Sequence, residues 1–260
     1  MKLPLPRRRN LGQHFLLDEN IVAVAGRMAD VGADDVVLEV GPGLGVLTTY
    51  LADRARFVHA IEIDRGLEDD LRARLGPRAN VNLVFDDALR HPLAELAPPP
   101  EKFVSNLPYN VATPLVVESL DGLPSLERWC VMVQREIADR FFATPGAKAY
   151  GGVSVLVQLT AERSGFHPVA RTVFRPPPHV DSALVAFRRR RSWGPEFAHV
   201  KRVVQAAFAH RRKTLANSLA LSGIERASAG RAVAELGLVE DARAEQLAPE
   251  QFVRLAELLS

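Results

Sequence analysis

Apolar residues along the chain change period in a regular way. In "DVVLEVGPGLGVLTTYLAD", residues 35–53, an unbroken apolar run of strand length gives way to a glycine turn and then to apolar positions at helical spacing. That pattern predicts strand, loop, helix. "RFVHAIEID", residues 56–64, predicts a second strand ending in acids, with a helix over "DDLRARL". "VNLVFDDAL" (81–89), "KFVSN" (102–106) and "RWCVMVQ" (128–134) predict three more strands. Helices are predicted over "TPLVVESL", with Pro114 in its first turn, and over "REIADRFF". Strands alternating with helices predict a parallel sheet covered on both faces.

The rhythm then changes. "YGGVSVLVQLT" fits helix or strand, and its length favours helix. "ERSGFHPV" and "DSALVAFRR" predict two further strands, joined by the proline-rich "RTVFRPPPHV", a stiff, presented loop. From about Pro195 every apolar pattern is helical. A boundary near "RRRRSWGP" divides a domain over residues 1–192 from a small all-α domain over 193–260. The fold class expected is α/β, with a mostly parallel seven-stranded sheet.

Bulk composition is globular, at 47% hydrophobic and 25% charged residues. Net charge is only +2, so the distribution of charge matters more than its sum. Lys2, Arg7, Arg8 and Arg9 precede the first acid, Asp18. Between Arg188 and Lys213, nine Lys or Arg face one acid, Glu196. Two such blocks fit a polyanion partner or solvated arms. Cys130 is the only cysteine, which excludes an intramolecular disulfide and a thiolate metal cluster. Its apolar context, "WCVMV", predicts a buried thiol. The amino terminus lacks an apolar signal core and no run has membrane-spanning length, so a cytoplasmic protein with no membrane partner is expected.

Candidate chemistry sits at the strand ends. "EVGPGLG" places Gly41, Gly43 and Gly45 between the first strand and its helix, where backbone can approach a ligand. Glu62 and Asp64 end the next strand, where an acid can hold ribose hydroxyls. The spacing is not that of a dinucleotide loop, and Glu39 just before it would repel a pyrophosphate but attract a cation. A nucleoside with a sulfonium and an amino-acid tail, S-adenosylmethionine, fits better. Asp86 and Asp87 lie at the third strand end, where a carboxylate can accept from an adenine amine. The fourth strand stops on Asn106-Leu107-Pro108-Tyr109-Asn110. There the Asn106 side-chain oxygen and the Leu107 carbonyl can take the two hydrogens of an aromatic amine. Pro108 stiffens the turn, and Tyr109 offers a face to a base.

"EVGPGLG", "IEID", "DDAL" and "NLPYN" resemble, in order, the motifs of class I methyltransferases that act on adenine N6 in ribosomal RNA. "GQHFLLD", "FRPPPHVDSAL" and "HRRKTLANSL" extend the resemblance over nearly the whole chain, to the bacterial 16S ribosomal RNA adenine dimethyltransferases. His14 stands where some members carry asparagine. The resemblance implies a Rossmann-like methyltransferase domain and dimethylation of two adjacent adenines near the 3′ end of small-subunit RNA. S-adenosylmethionine would be the cofactor, with no metal, and the chain a monomer. It also implies that Gln13, His14 and Leu16 fold over the methionine end of the cofactor, and that Gly41, Gly43, Glu62, Ile63, Asp87, Ala88 and Asn106 line its site. Phe174, on the stiff loop, would stack on the target base opposite Tyr109. Arg211, Arg212 and Lys213, extended by Arg135, Arg140 and Lys148, would meet RNA phosphates. Two other readings stay open: the related 23S RNA adenine methyltransferase, and a non-catalytic ribosome assembly factor.

Overall fold

A computed structural model describes residues 13–260. The cluster of Lys2, Arg7, Arg8 and Arg9 lies outside the described residues. The chain forms two compact units. The first holds the described residues up to Ala138 together with Arg163–Arg189; the second holds Asp139–Glu162 and Arg190–Ser260.

In the first unit, a short strand β1 (Phe15–Leu16) leads into helix α1 (Glu19–Met28). Asp18 caps that helix, its side chain accepting from the N–H groups of Asn20 and Ile21. Then follow β2 (Val36–Val40), α2 (Val46–Ala52), β3 (Phe57–Glu62), α3 (Glu68–Leu75), β4 (Val81–Phe85), β5 (Lys102–Asn106), α4 (Ala112–Gly122) and β6 (Arg128–Gln134). Next come α5 (Arg135–Phe141), α6 (Gly152–Thr160), β7 (Ala161–Val169), β8 (Phe174–Arg175) and β9 (Ser182–Arg189). The helices α7 (Phe197–Phe208), α8 (Leu215–Leu221), α9 (Arg226–Glu235) and α10 (Pro249–Leu258) complete the chain.

The seven-stranded sheet runs β4-β3-β2-β5-β6-β9-β7. The pairs among β4, β3, β2, β5 and β6 are parallel, and β9 lies antiparallel to β6. All five residues of β2 are buried, as a strand covered on both faces requires. The Cys130 thiol in β6 is fully buried, which pushes its pKa up to about 12.

Arg189 belongs to the basic block but serves the fold. Its guanidinium donates to the carbonyls of Leu120, Leu123 and Leu126 at and beyond the end of α4, and it lies 5.0 Å from the centroid of the Trp129 ring. A cation is favourable at a helix carboxyl end. In the second unit Arg190 pairs with Glu250, and Arg191 lies 3.7 Å from the centroid of the Trp193 ring.

Residues 139–162, expected in the first domain, belong to the second unit. The reason is α6: Ser154, Val155, Leu156, Val157, Leu159 and Thr160 are all buried, and the helix packs against α7 and α10. "YGGVSVLVQLT" is thus a helix, as its length indicated.

Phe174 requires a correction. The residue is 1% exposed and sits in the core with Leu16, Leu184 and Ala186. In the two-stranded ribbon of β1 and β8 it stands opposite Leu16, and Phe15 opposite Arg175. Its ring faces are occupied by packing, so it offers none to a base. A buried phenylalanine truncated to alanine loses transfer free energy and leaves a cavity. Phe174→Ala should therefore destabilise the protein by about 3–5 kcal/mol in denaturant unfolding. A loss below about 1 kcal/mol would show that the ring is not a core element.

Candidate active site

Strand order reverses beside β2: β3 and β4 lie on one side of it, β5 and β6 on the other. In open parallel sheets the crevice at such a reversal, outside the carboxyl ends of the strands, is where ligands bind. Here the crevice is widened by a short ladder. β2 pairs with β3 as far as Val40–Ile61, but with β5 only at Val37–Lys102 and Leu38–Phe103. Beyond that point the Ser105 hydroxyl donates to the Val40 carbonyl at 2.5 Å. A cavity of about 1070 Å³, including its open mouth, lies above. Its lining includes Gln13, His14, Leu16, Glu39, Gly41, Gly43, Glu62, Ile63, Asp87, Ala88 and residues 106–109.

The glycine loop takes a shape only glycine accepts readily. Gly41 and Gly43 have φ of +75° and +58°. A Cβ on Gly41 would stand 3.2 Å from Cδ of Pro108, and one on Gly43 3.0 Å from Cδ1 of Phe15. Glu62 secures the loop. One carboxylate oxygen accepts from the Gly43 N–H at 3.0 Å, the other from the Asp64 N–H at 2.9 Å. A carboxylate has about four acceptor positions, so Glu62 keeps capacity for ligand hydroxyls. Burial nevertheless pushes its pKa up, against those two hydrogen bonds.

Asp64 caps the turn that follows, accepting from the Gly66 N–H, and also accepts from Nε2 of Gln13 at 2.8 Å. That bond ties Gln13 to the turn after β3, and Gln13, His14 and Phe15 all line the cavity. The other end of the Gln13 amide, Oε1, is buried without a hydrogen-bond partner among the described residues. Asp87 accepts from the Leu89 N–H, Ala88 is buried, and Ile63 is about half exposed at the cavity edge. Asp86 is committed elsewhere: it pairs with His91 at 2.8 Å, which holds its carboxyl below the usual range.

Asn106 ends β5. Its Nδ2 donates to the His14 carbonyl at 3.2 Å, and the residue lines the cavity. Leu107 is buried and anchored by its N–H to the Met132 carbonyl at 3.1 Å. The Pro108 carbonyl accepts from the N–H groups of Val111 and Ala112, starting α4. Tyr109 is partly buried, and its hydroxyl is 2.7 Å from the Ser182 hydroxyl.

Of the basic residues, Arg135 lies in the first unit, its guanidinium 4.8 Å from the centroid of the Phe166 ring. Arg140, Lys148, Arg211, Arg212 and Lys213 lie in the second. The last three form the turn between α7 and α8, exposed to solvent. Arg211 donates to the carbonyls of Lys148 and Tyr150, which draws Lys148 to the same patch. Sequence reasoning missed Ser182 and Pro176 as parts of the site. Both lie in the quoted "FRPPPHVDSAL", but only the antiparallel placement of β9 reveals where they point. Among the described residues no group of three or more His, Cys, Asp or Glu is placed to hold a metal ion.

Glu39 is buried, with one carboxyl oxygen lacking a hydrogen-bond partner among the described residues. Burial pushes its pKa up to about 8, the Thr48 hydroxyl offsets part of this, and Glu62 adds to it. Between the ordinary value of 4.5 and about 8, the folded protein holds a proton that the unfolded chain has released. Stability contributed by this proton is complete below the lower value and is lost as pH rises through the upper one. Glu39→Gln carries no such proton. Its stability relative to the parent should grow from about pH 4.5 to about pH 8 and then level off. Unfolding curves across that range read this directly, and a constant difference would mean that Glu39 is ionised in the fold.

Comparison with known proteins agrees with this geometry. A family model described as Ribosomal RNA adenine dimethylase matches residues 6–260. The Ribosomal RNA small subunit methyltransferase A of Rubrobacter xylanophilus is 48% identical over 259 residues, 100% of this chain and 97% of that protein. The protein of the same name from Streptomyces avermitilis is 45% identical, over 95% of this chain and 86% of its own. Among solved structures, the 23S rRNA methyltransferase ErmE aligns with a TM-score of 0.67 at 32% identity, over 94% of this chain and 99% of that one. A dimethyladenosine transferase from Plasmodium falciparum has a TM-score of 0.76 over 93% and 96% of the two chains; at 24% identity it bears on the fold, that of a Rossmann-like methyltransferase. The match spans both units and every strand that borders the crevice, and the chain belongs to the ribosomal RNA adenine dimethylase family.

Proposed function

We propose that this protein dimethylates N6 of two adjacent adenines near the 3′ end of 16S ribosomal RNA in the small subunit, using S-adenosylmethionine, in the cytoplasm and as a monomer. The observation that carries the reading is the orientation of Asn106. Its Nδ2 donates to the His14 carbonyl and the residue lines the same cavity as the glycine loop, which supports Oδ1 as the acceptor that would take an amine hydrogen.

The cavity fits the cofactor on its own chemistry. Two buried polar atoms in its lining, Oε1 of Gln13 and Oε2 of Glu39, have no partner among the described residues. A cationic ligand would supply what Glu39 lacks and favour its carboxylate form. Glu62 would hold ribose hydroxyls, and Asp87 with Ala88 and Ile63 would border the adenine. When bound, S-adenosylmethionine supplies an electrophilic methyl group on its sulfonium.

The remaining work is positional. An adenine amine is a weak nucleophile because its lone pair is delocalised into the ring. Oδ1 of Asn106 and the Leu107 carbonyl accept its two hydrogens and favour a pyramidal nitrogen whose lone pair faces the methyl. As positive charge develops on that nitrogen, both acceptors gain strength. Once the methylated nitrogen has released one proton to solvent, one N–H remains, and one acceptor suffices to orient it. Alignment of reactants in this way can lower a barrier by roughly 7–11 kcal/mol. Tyr109 receives the base, which must be unpaired or flipped out to reach the turn. The patch of Arg211, Arg212, Lys213 and Lys148 would meet phosphates and set the register of the RNA.

Small-subunit specificity is favoured because the relatives at 45–48% identity carry that name, whereas ErmE stands at 32%. The test offers labelled cofactor to under-methylated small subunits, large subunits and naked RNA. Label should enter small-subunit RNA, and label confined to large-subunit RNA would reverse the assignment. In the same assay Asn106→Ala should reduce single-turnover methylation by about 10²–10³. Its RNA affinity should be nearly unchanged, since backbone contacts dominate that term. Near-normal turnover in a folded Asn106→Ala protein would show that this turn does not grip the amine.

A further inference from the structure

The segment from Phe174 to Ser182 touches the NLPYN turn twice, once directly and once through His14. The Tyr109 hydroxyl is 2.7 Å from the Ser182 hydroxyl. The His14 ring lies 5.6 Å from the Tyr109 ring, centroid to centroid, with 33° between their planes. His14 is itself held, its Nδ1 lying 2.8 Å from the Pro176 carbonyl. A carbonyl only accepts, so Nδ1 carries the proton. The His14 main chain in turn takes the Asn106 amide. The contacts therefore close a ring: Asn106, His14, Pro176, along the chain to Ser182, Tyr109, and back through Leu107 and Pro108.

We propose that Ser182 is a positioning residue for the target base, fixing the tilt of the Tyr109 ring through its hydroxyl while His14, braced by Pro176, limits the ring from the side. This rests on the reading of Tyr109 as the platform for the adenine. It also gives "FRPPPHVDS" a task that does not need Phe174 to meet the base.

The surroundings favour a locating role for Ser182. It is buried at the first position of β9, paired with Gln134 at the end of β6, so its backbone is fixed. It does not line the cofactor cavity. Its neighbour Asp181 is tied down as well, its side chain accepting from the Arg171 N–H and its carbonyl from the Arg135 N–H. A tyrosine ring turns about two side-chain bonds. Anchoring the hydroxyl at its far end removes most of that freedom before substrate arrives, which is the condition for a pre-oriented reactant.

The test is a double-mutant cycle of Ser182→Ala and Tyr109→Phe, read by single-turnover methylation of under-methylated small subunits. Each single change deletes the same hydrogen bond from one side. Each should slow the reaction by about two- to tenfold, the worth of one neutral hydrogen bond. The double variant should be no slower than either single one. Cofactor affinity, measured by calorimetry, should not move. A second readout needs no cofactor: with a fluorescent purine analogue at the target position of the RNA, stacking on Tyr109 quenches emission, and both single variants should weaken that quenching equally. Additive rate losses, or an Ser182→Ala protein as fast as the parent, would overturn the proposal. Should Ser182→Ala not fold, Tyr109→Phe alone decides, since a parental rate and parental quenching in that variant would overturn it. A parent protein that labels no small-subunit RNA would instead refute the proposed function, so the two failures are distinct.

Discussion

Where the main-chain ladder between β2 and β5 stops, the Ser105 hydroxyl on the Val40 carbonyl takes its place. A side-chain rung holds two strands together without aligning their next residues. Past it, one strand turns into the glycine loop and the other into the NLPYN turn, and the crevice between them is the site. The close packing of Gly41 against Pro108 then sets how far apart those two turns stand. The Gly43 N–H reaches across to Glu62 on the neighbouring strand, which fixes the loop from its other side. With those contacts in place, Gln13 and His14 have two defined anchor points, Asp64 through the Gln13 amide and Asn106 through the His14 carbonyl.

Electrostatics of the crevice follow from the same crowding. Glu39 and Glu62 are both buried, and Glu62 lies close enough to add to the cost of ionising Glu39. Glu62 has two backbone N–H groups to offset that cost and Glu39 has no comparable pair. The two carboxyls therefore differ in what they can do. One is a structural acceptor with spare capacity for hydroxyls, and the other is a carboxyl whose proton is favoured by burial.

Much of this was legible in the sequence because it is local. The β2–loop–α2 unit is written in one contiguous stretch, with apolar period, glycines and following helix each pointing the same way. Glu62, Asp87 and Asn106 were legible because strand ends in a parallel sheet share one edge. What was not legible depends on contacts between distant segments. The β1–β8 ribbon has two residues per strand, too few for any period. Phe174 carries a motif position in sequence, but the ribbon turns its ring into the core. Residues 139–162 read as continuous with the strands before and after them, and only the burial of α6 beside α7 and α10 assigns them to the second unit. Arg189 read as part of a basic block, while its bonds to three carbonyls make it part of the fold.

The antiparallel course of β9 has a consequence for how this protein tolerates change in length. In a parallel sheet the ligand edge is built from strand ends; an antiparallel strand brings its beginning there instead. Ser182 reaches Tyr109 because it starts β9 opposite Gln134. Side chains alternate faces along a strand, so a slip of one residue would turn that hydroxyl to the other side. Surface loops ordinarily accept insertions and deletions. The stretch from Pro176 to Asp181 is bound at both ends, to His14 on one side and by the register of β9 on the other. On the role proposed for Ser182, its residue count matters as much as its composition, and related chains should vary in the composition of this loop far more than in its length.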